Sequence, residues 1–246
     1  PGSVHAAARA LAAWLKFHLA DGVGPDGRRL VSVKNLAETK TPHNPIRLEG
    51  TAKALNPDTV QLSYAMGWLV YDHRGKKVVS HGGLIDGFRV QVTLLPDENL
   101  GIAVLANLHD TRMNAALVNA LIDLYCGLPP RDWNGYFKKV AEDEGRAKRV
   151  AVEARNAARR ADARPSLPAE GYAGEYVHPA YGAATVTAAG GRLAMKWGSF
   201  ACPLEHFEAD TFRVADGFFQ DRLVTFAVKG NVVTGLAFVE QQCGRK

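Results

Sequence analysis

The sequence predicts an α+β protein in which helices pack on an antiparallel sheet, followed by a small all-β barrel or sandwich. Three observations lead there. Residues 1–130 read as helix, then strands joined by tight turns, then helix, an order that favours helices layered on one antiparallel sheet. Residues 131–165 are rich in alanine and charge and read as a helical connector. From residue 166 to 246, short runs of Tyr, Val, Thr, Phe and Leu are punctuated by Gly and Asp, the pattern of a small all-β accessory domain.

Leu11, Trp14, Leu15 and Leu19 recur at helical spacing, with Ser3 placed to cap the first turn and Asp21-Gly22 ending the helix. Residues 22–60 hold many Gly, Pro, Asn and Thr and read as surface connection, with one short helical stretch over Val33 to Lys40. Strands follow. Tyr64 to Tyr71 alternates loosely, Arg74-Gly75-Lys76-Lys77 turns, and Val78 to His81 resumes. Phe88 to Leu95 has period two, Pro96-Asp97-Glu98-Asn99 turns, and Leu100 to Asn107 is another strand. Met113, Leu117, Leu121, Leu124 and Tyr125 restore helical spacing until Gly127-Leu128-Pro129-Pro130 stops it. In the last part about seven strands are expected: 174–177, 184–188, 192–197, 202–206, 211–214, 223–229 and 232–239. Trp14, Trp68 and Trp197 are expected in cores.

At 246 residues and 47% hydrophobic, the chain has enough apolar material for a buried core. No stretch approaches the roughly 20 apolar residues of a membrane span, and no signal peptide is visible. Cys126, Cys202 and Cys243 are far apart and lack the spacing of a zinc or redox site, so they read as buried or incidental thiols. The net charge is +5, but residues 131–164 hold ten Lys or Arg and six Asp or Glu, which accounts for four of those charges. A mixed-sign run is a solvated helix face rather than a phosphate track, so no nucleic-acid partner is expected. The eight histidines make no metal motif, and neither a metal nor a cofactor is called for.

The stretch from Val78 to Phe88 carries the most chemistry. A strand running into His81-Gly82-Gly83 gives up side chains at two successive positions, which weakens it and suits a place where another backbone or a ligand approaches closely. An extended substrate can add its hydrogen bonds to such an edge, and an imidazole beside it is a donor or acceptor near neutral pH. The residues alone equally allow a β-bulge followed by a turn, with His81 structural. Asp86 suits a substrate amine, or simply a turn before Gly87.

The stretch resembles the third motif of the serine β-lactamase, penicillin-binding-protein and esterase superfamily, where an edge strand carries Lys-Thr-Gly or His-x-Gly. Asp86-Gly87-Phe88, Leu95-Pro96-Asp97 and Gly101 to Asn107 are similar to the family's following strands. The opening Gly2-Ser3-Val4-His5 and Ala8 to Leu15 resemble its helix after the active-site loops. The resemblance covers residues 1–127, and residues 170–240 look like the β-rich accessory domain of some members. It implies a β-lactamase/transpeptidase-like sheet and an acyl-enzyme serine hydrolase acting on an amide or ester. Possible substrates are a peptide, a D-amino-acid derivative, a β-lactam or a small ester.

By that resemblance His81, Gly83 and Leu84 are catalytic, with His81 orienting the substrate and the Leu84 backbone N–H serving as one of two oxyanion donors. Gly82, Ile85 and Asp86 line the substrate. The family's nucleophile lies in Ser-x-x-Lys, yet none of Ser3, Ser32, Ser63, Ser80, Ser166 or Ser199 has lysine three residues on. No Tyr-x-Asn or Ser-x-Asn is present either. The chain opens on Pro1 without methionine, so the expectation is a companion N-terminal polypeptide, removed by cleavage or made separately, that carries the nucleophile. The alternative is a catalytically silent protein binding peptide or cell-wall fragments. A homo-oligomer is possible, and the resemblance leans towards the bacterial periplasm or envelope.

Overall fold

A computed structural model describes residues 5–85, 87–108 and 111–246. The expectations for the Ser3 cap and for Asp86 lie outside the described residues. The chain divides into two compact units, residues 1–149 and 150–246.

The first unit opens with α1 (Ala8–Leu19), α2 (Val33–Glu38), β1 (Asn44–Ile46), α3 (Gly50–Leu55) and β2 (Leu62–Tyr64). It continues through β3 (Leu69–His73), β4 (Lys76–Ile85), β5 (Phe88–Leu95), a 3-10 turn at Pro96–Glu98, β6 (Leu100–Ala106) and α4 (Met113–Tyr125). Helix α5 (Trp133–Ala157) begins in this unit and continues into the second. The six strands form one antiparallel meander in chain order, so the expected α+β layering holds. Two short elements fell inside the stretch read as surface connection, β1 and α3. Pro45 sits in the middle of β1, which is tolerated because β1 is an edge strand.

Both faces of the sheet are covered where β3 to β6 run together. Val79 and Leu94 face α1 and join Leu15, Trp68 and Val70, while Val78 and Leu95 face α4 and join Val118 and Ile122. Burial on both faces explains the adjacent apolar pairs Val78-Val79 and Leu94-Leu95, whose members point to opposite faces. Trp14 departs from the core expectation at 48% exposed, because Leu15 and His18 turn towards the sheet and leave it on the flank.

His18 is buried in an aromatic cage, with ring centroids 4.4 Å from Trp14 and 5.2 Å from Trp68. Neither ring nitrogen has a hydrogen-bond partner among the described residues. Burial, reinforced by the nearby Lys40 ammonium, lowers its pKa from 6.5 to about 4. The unfolded chain therefore binds a proton here that the folded chain refuses, and stability falls as pH drops from 6.5 through about 4. The full effect is about 3 kcal/mol. His18→Leu is expected to flatten that acid limb in urea titrations across this range, while leaving stability at neutral pH unchanged or raised.

The start of α5 locks onto this unit through Trp133, Phe137 and Val140, spaced to share one buried face. One buried carboxylate, Asp123 of α4, ties three elements together. It accepts from Trp133 Nε1 at 2.6 Å and from Arg74 Nη1 at 2.7 Å, and lies 3.3 Å from His73 Nε2. Arg74 also donates to the Pro129 carbonyl at 2.7 Å.

In the second unit α6 (Ala169–Tyr172) precedes β7 (Gly174–His178), β8 (Gly182–Ala189), β9 (Arg192–Trp197), β10 (Phe200–Glu208) and β11 (Thr211–Val214). Strands β12 (Leu223–Lys229), β13 (Val232–Phe238) and β14 (Gln241–Arg245) complete it. They close into an eight-stranded antiparallel barrel in which β14 pairs with β7. Closure rests on β14, a strand absent from the seven expected. Alternate residues fill the barrel with Tyr176, Val186, Met195, Phe212, Phe226 and Leu236. Cys202 and Cys243 lie in the same core, where burial pushes both thiols up and leaves them unreactive.

At Gly235 of β13 an added Cβ would meet the Cys243 carbonyl oxygen on β14 at 2.7 Å. Gly235→Ala must spread the closing strands, and a loss of about 1–3 kcal/mol is expected in chemical denaturation of the barrel.

Candidate active site

Strand β4 changes character halfway. Lys76 to Ser80 run between β3 and β5, but β3 begins at Leu69 opposite Ser80, so His81 to Ile85 pair with β5 alone. Val78 to Ser80 are buried, and His81 to Ile85 are exposed. The β3–β4 hairpin is closed by His73↔Lys76 across Arg74-Gly75, both at positive φ, as a two-residue primed turn requires. Such a turn is closed by a hydrogen-bonded pair, and bonding direction alternates along the strand. Lys76, Val78 and Ser80 thus point their backbone groups at β3, whereas His81, Gly83 and Ile85 point theirs at β5. The same alternation turns the N–H and C=O of Gly82 and Leu84 towards the side where β3 has ended. No strand among the described residues pairs with them there.

Neither glycine is needed by the chain itself. Gly82 and Gly83 are absent from the positive-φ residues. A Cβ at Gly82 would come no closer than 3.6 Å to the Val90 oxygen, and one at Gly83 no closer than 3.7 Å to Val90 Cβ, both ordinary contacts. No β-bulge interrupts the pairing, which runs in register from Val79↔Leu94 to Ile85↔Phe88. The described fold thus leaves this stretch of backbone bare without requiring it.

The strand's footing is rigid. Ser80 Oγ donates to the Val92 carbonyl at 2.9 Å and lies 2.9 Å from Thr93 Oγ1. Tyr71 shares that hydroxyl, and burial pushes its phenol up to about 12, so it stays protonated. On the other face, His81, Gly83 and Ile85 look onto a cleft of about 320 Å³ whose far side is His5, Ala6 and Leu11. Leu84 and Ile85 are exposed, and Phe88 is 56% exposed.

Of the residues expected at the site, His81, Gly82, Gly83, Leu84 and Ile85 are contiguous on this half-strand. Tyr64, at the end of β2, was not expected there. Its hydroxyl stands 3.3 Å from His81 Nε2, with the rings edge to face at 6.2 Å. The only signal in the sequence is that Tyr64 opens the strand-like run before the first turn. His73, the other histidine near that hairpin, is buried on Asp123 and takes no part in the cleft.

Comparison with known proteins adds a lineage. The family model described as Beta-lactamase matches residues 1–126, and a domain of unknown function, DUF3471, matches residues 158–244. An unguisins hydrolase of Aspergillus violaceofuscus is 30% identical over 183 residues, covering 66% of this chain and 32% of that protein. A second unguisins hydrolase, from Aspergillus campestris, is 31% identical over 139 residues, covering 53% and 26%. The chain thus spans a third or less of the length of these curated relatives. Among solved structures, the octameric penicillin-binding protein homologue from Pyrococcus abyssi aligns over 97% of this chain and 46% of that one. Its identity is 17% and its TM-score 0.42.

Proposed function

This chain belongs to the beta-lactamase family, and from that membership we propose that it forms one wall of an acyl-enzyme serine hydrolase site whose nucleophile is carried by a companion segment outside these 246 residues. One observation carries the reading: a half-strand with two glycines that its own packing and conformation do not require, and whose backbone donors face outward. The relatives named as hydrolases support the reaction class.

In the reaction, a companion serine in Ser-x-x-Lys attacks the carbonyl carbon of an amide or ester, and its proton passes to a companion base. The carbonyl oxygen becomes an oxyanion, held by the Leu84 N–H and a second donor. Collapse of the tetrahedral adduct expels the amine or alcohol with a proton, and water then attacks the acyl-enzyme to release the acid and the free serine. Gly82 and Gly83 let the substrate lie against the strand, and His81 supplies a hydrogen bond to it. Peptides, D-amino-acid derivatives, β-lactams and small esters all present the required carbonyl.

The requirement for a companion is supported by surfaces that a closed domain would bury. Phe88, Leu105 and Ile85 are exposed around a hollow of about 650 Å³ beside the strand. On α4, Met113, Leu117 and Leu124 form an outer stripe, with Leu124 72% exposed. Strand β6 ends the sheet with an unpaired edge among the described residues. Apolar surface of this extent marks an interaction face. Mass spectrometry of the protein purified from its source is expected to find Ser-x-x-Lys in sequence outside these residues, on the same chain or on a second one. Recovery of these 246 residues alone would defeat the proposal. If a companion is found but no amide, ester or β-lactam probe acylates the assembly, the same rim is a recognition site for extended peptides.

A further inference from the structure

We propose that Tyr64 is a positioning residue that sets the tautomer and orientation of the His81 ring. The inference builds on the site proposed above. His81 stands on the half-strand that β3 does not cover, and its ring is exposed. Among the described residues, its hydrogen-bond partner is the Tyr64 hydroxyl, 3.3 Å from Nε2. Among the described residues no carboxylate does the orienting that a histidine at a reactive site usually requires.

The backbone of Tyr64 is well anchored. Tyr64 is the last residue of β2, paired with Asn44 on one side and Leu69 on the other, and its carbonyl accepts from His43 N at 3.1 Å. A backbone held from both sides fixes where the phenol starts, and the edge-to-face ring contact limits how the imidazole rotates.

A phenol O–H is a stronger donor than a neutral imidazole N–H, so Tyr64 donates and Nε2 accepts. The proton then resides on Nδ1. This is the reverse of the tautomer favoured by a free histidine side chain, so it has to be imposed. With Nε2 engaged, the ring nitrogen left for a substrate is a donor, which suits a carbonyl or carboxylate oxygen and not an amine.

The test is made on the full chain with ¹⁵N-labelled histidine at about pH 8, above the ordinary imidazole range. Long-range ¹⁵N–¹H correlation spectra show which ring nitrogen carries the proton. His81 is expected as the Nδ1–H form, and in Tyr64→Phe the balance is expected to move to the Nε2–H form with no change in melting temperature. A His81 ring that is Nε2–H in the wild-type chain, or one unchanged by Tyr64→Phe, overturns the proposal. The reciprocal measurement covers a misfolded variant: His81→Gln is expected to displace the Tyr64 ¹³Cζ resonance, and an unmoved resonance counts against it. The imposed tautomer seen in an assembly that no acylating probe labels would keep the positioning role and remove the hydrolase. Acylation without the imposed tautomer would do the reverse.

Discussion

Asp123→Ala is expected to lower the stability of the first unit by about 3–5 kcal/mol, the range for removing one partner from a buried charged cluster. Asp123 is 3% exposed and serves Arg74, Trp133 and His73 at once. Its loss leaves the Trp133 indole N–H without an acceptor, at a residue 1% exposed, and strands a guanidinium that is mostly covered. It also unties the β3–β4 hairpin from α4 and α5, and that hairpin is what sets the bonding direction along the candidate rim. Asp123→Asn keeps the shape and one acceptor oxygen, so its loss should be clearly smaller. Urea unfolding followed by tryptophan fluorescence measures both, and a drop below about 1 kcal/mol for the alanine variant would show that the carboxylate is not the joint described.

Gly83→Val is expected to separate function from stability. Gly83 shares a strand face with His81 and Ile85, so its missing side chain leaves room in the cleft. Within the chain a Cβ there meets only Val90 at 3.7 Å, and valine suits a strand, so the melting temperature should change little. A substrate carbonyl pressed against that backbone would be pushed away from the Leu84 N–H. Loss or displacement of such a donor slows reaction by about a hundredfold or more. The acylation rate of the assembly is therefore expected to fall by at least that factor, with the companion still copurifying. An unchanged rate would mean that substrate does not lie against this strand.

Much of the fold is legible in the sequence because the first sheet is built from local hairpins. Gly75 and Pro96 to Asn99 turn where their residue types suit it, though β4 starts at Lys76, inside the expected turn, and Arg74 takes a positive φ; Phe88–Leu95 has the same limits in the structure as in the pattern. One miss is local, since Tyr64 to Tyr71, read as a single strand, is the end of β2 at Tyr64 and the start of β3 at Leu69; the others are non-local. Gln241–Arg245 has little β-branched or alternating character, and it is a strand because Gly244 and Arg245 meet Val177 and Tyr176 across the barrel. Asn44–Ile46 reads as loop through its proline, and only pairing with Leu62–Tyr64 makes it a strand. Trp14 has the helical spacing of a core residue, but periodicity does not tell the centre of a packed face from its flank.

At the site, the His81-Gly82-Gly83 run is conspicuous because it violates strand preferences, and such a local conflict points to function. Tyr64 and Asp123 leave no comparable trace. Each is an ordinary residue whose partner lies 17 or 50 positions away, brought near by strand reversal or by a helix crossing the sheet.

The most direct measurement is the position of the acyl group after the assembly reacts with a fluorescent acylating probe, read by peptide mass spectrometry. The adduct should sit on a serine of Ser-x-x-Lys in the companion segment outside these residues. An adduct on any of the six serines of this chain would contradict the division of labour proposed for it.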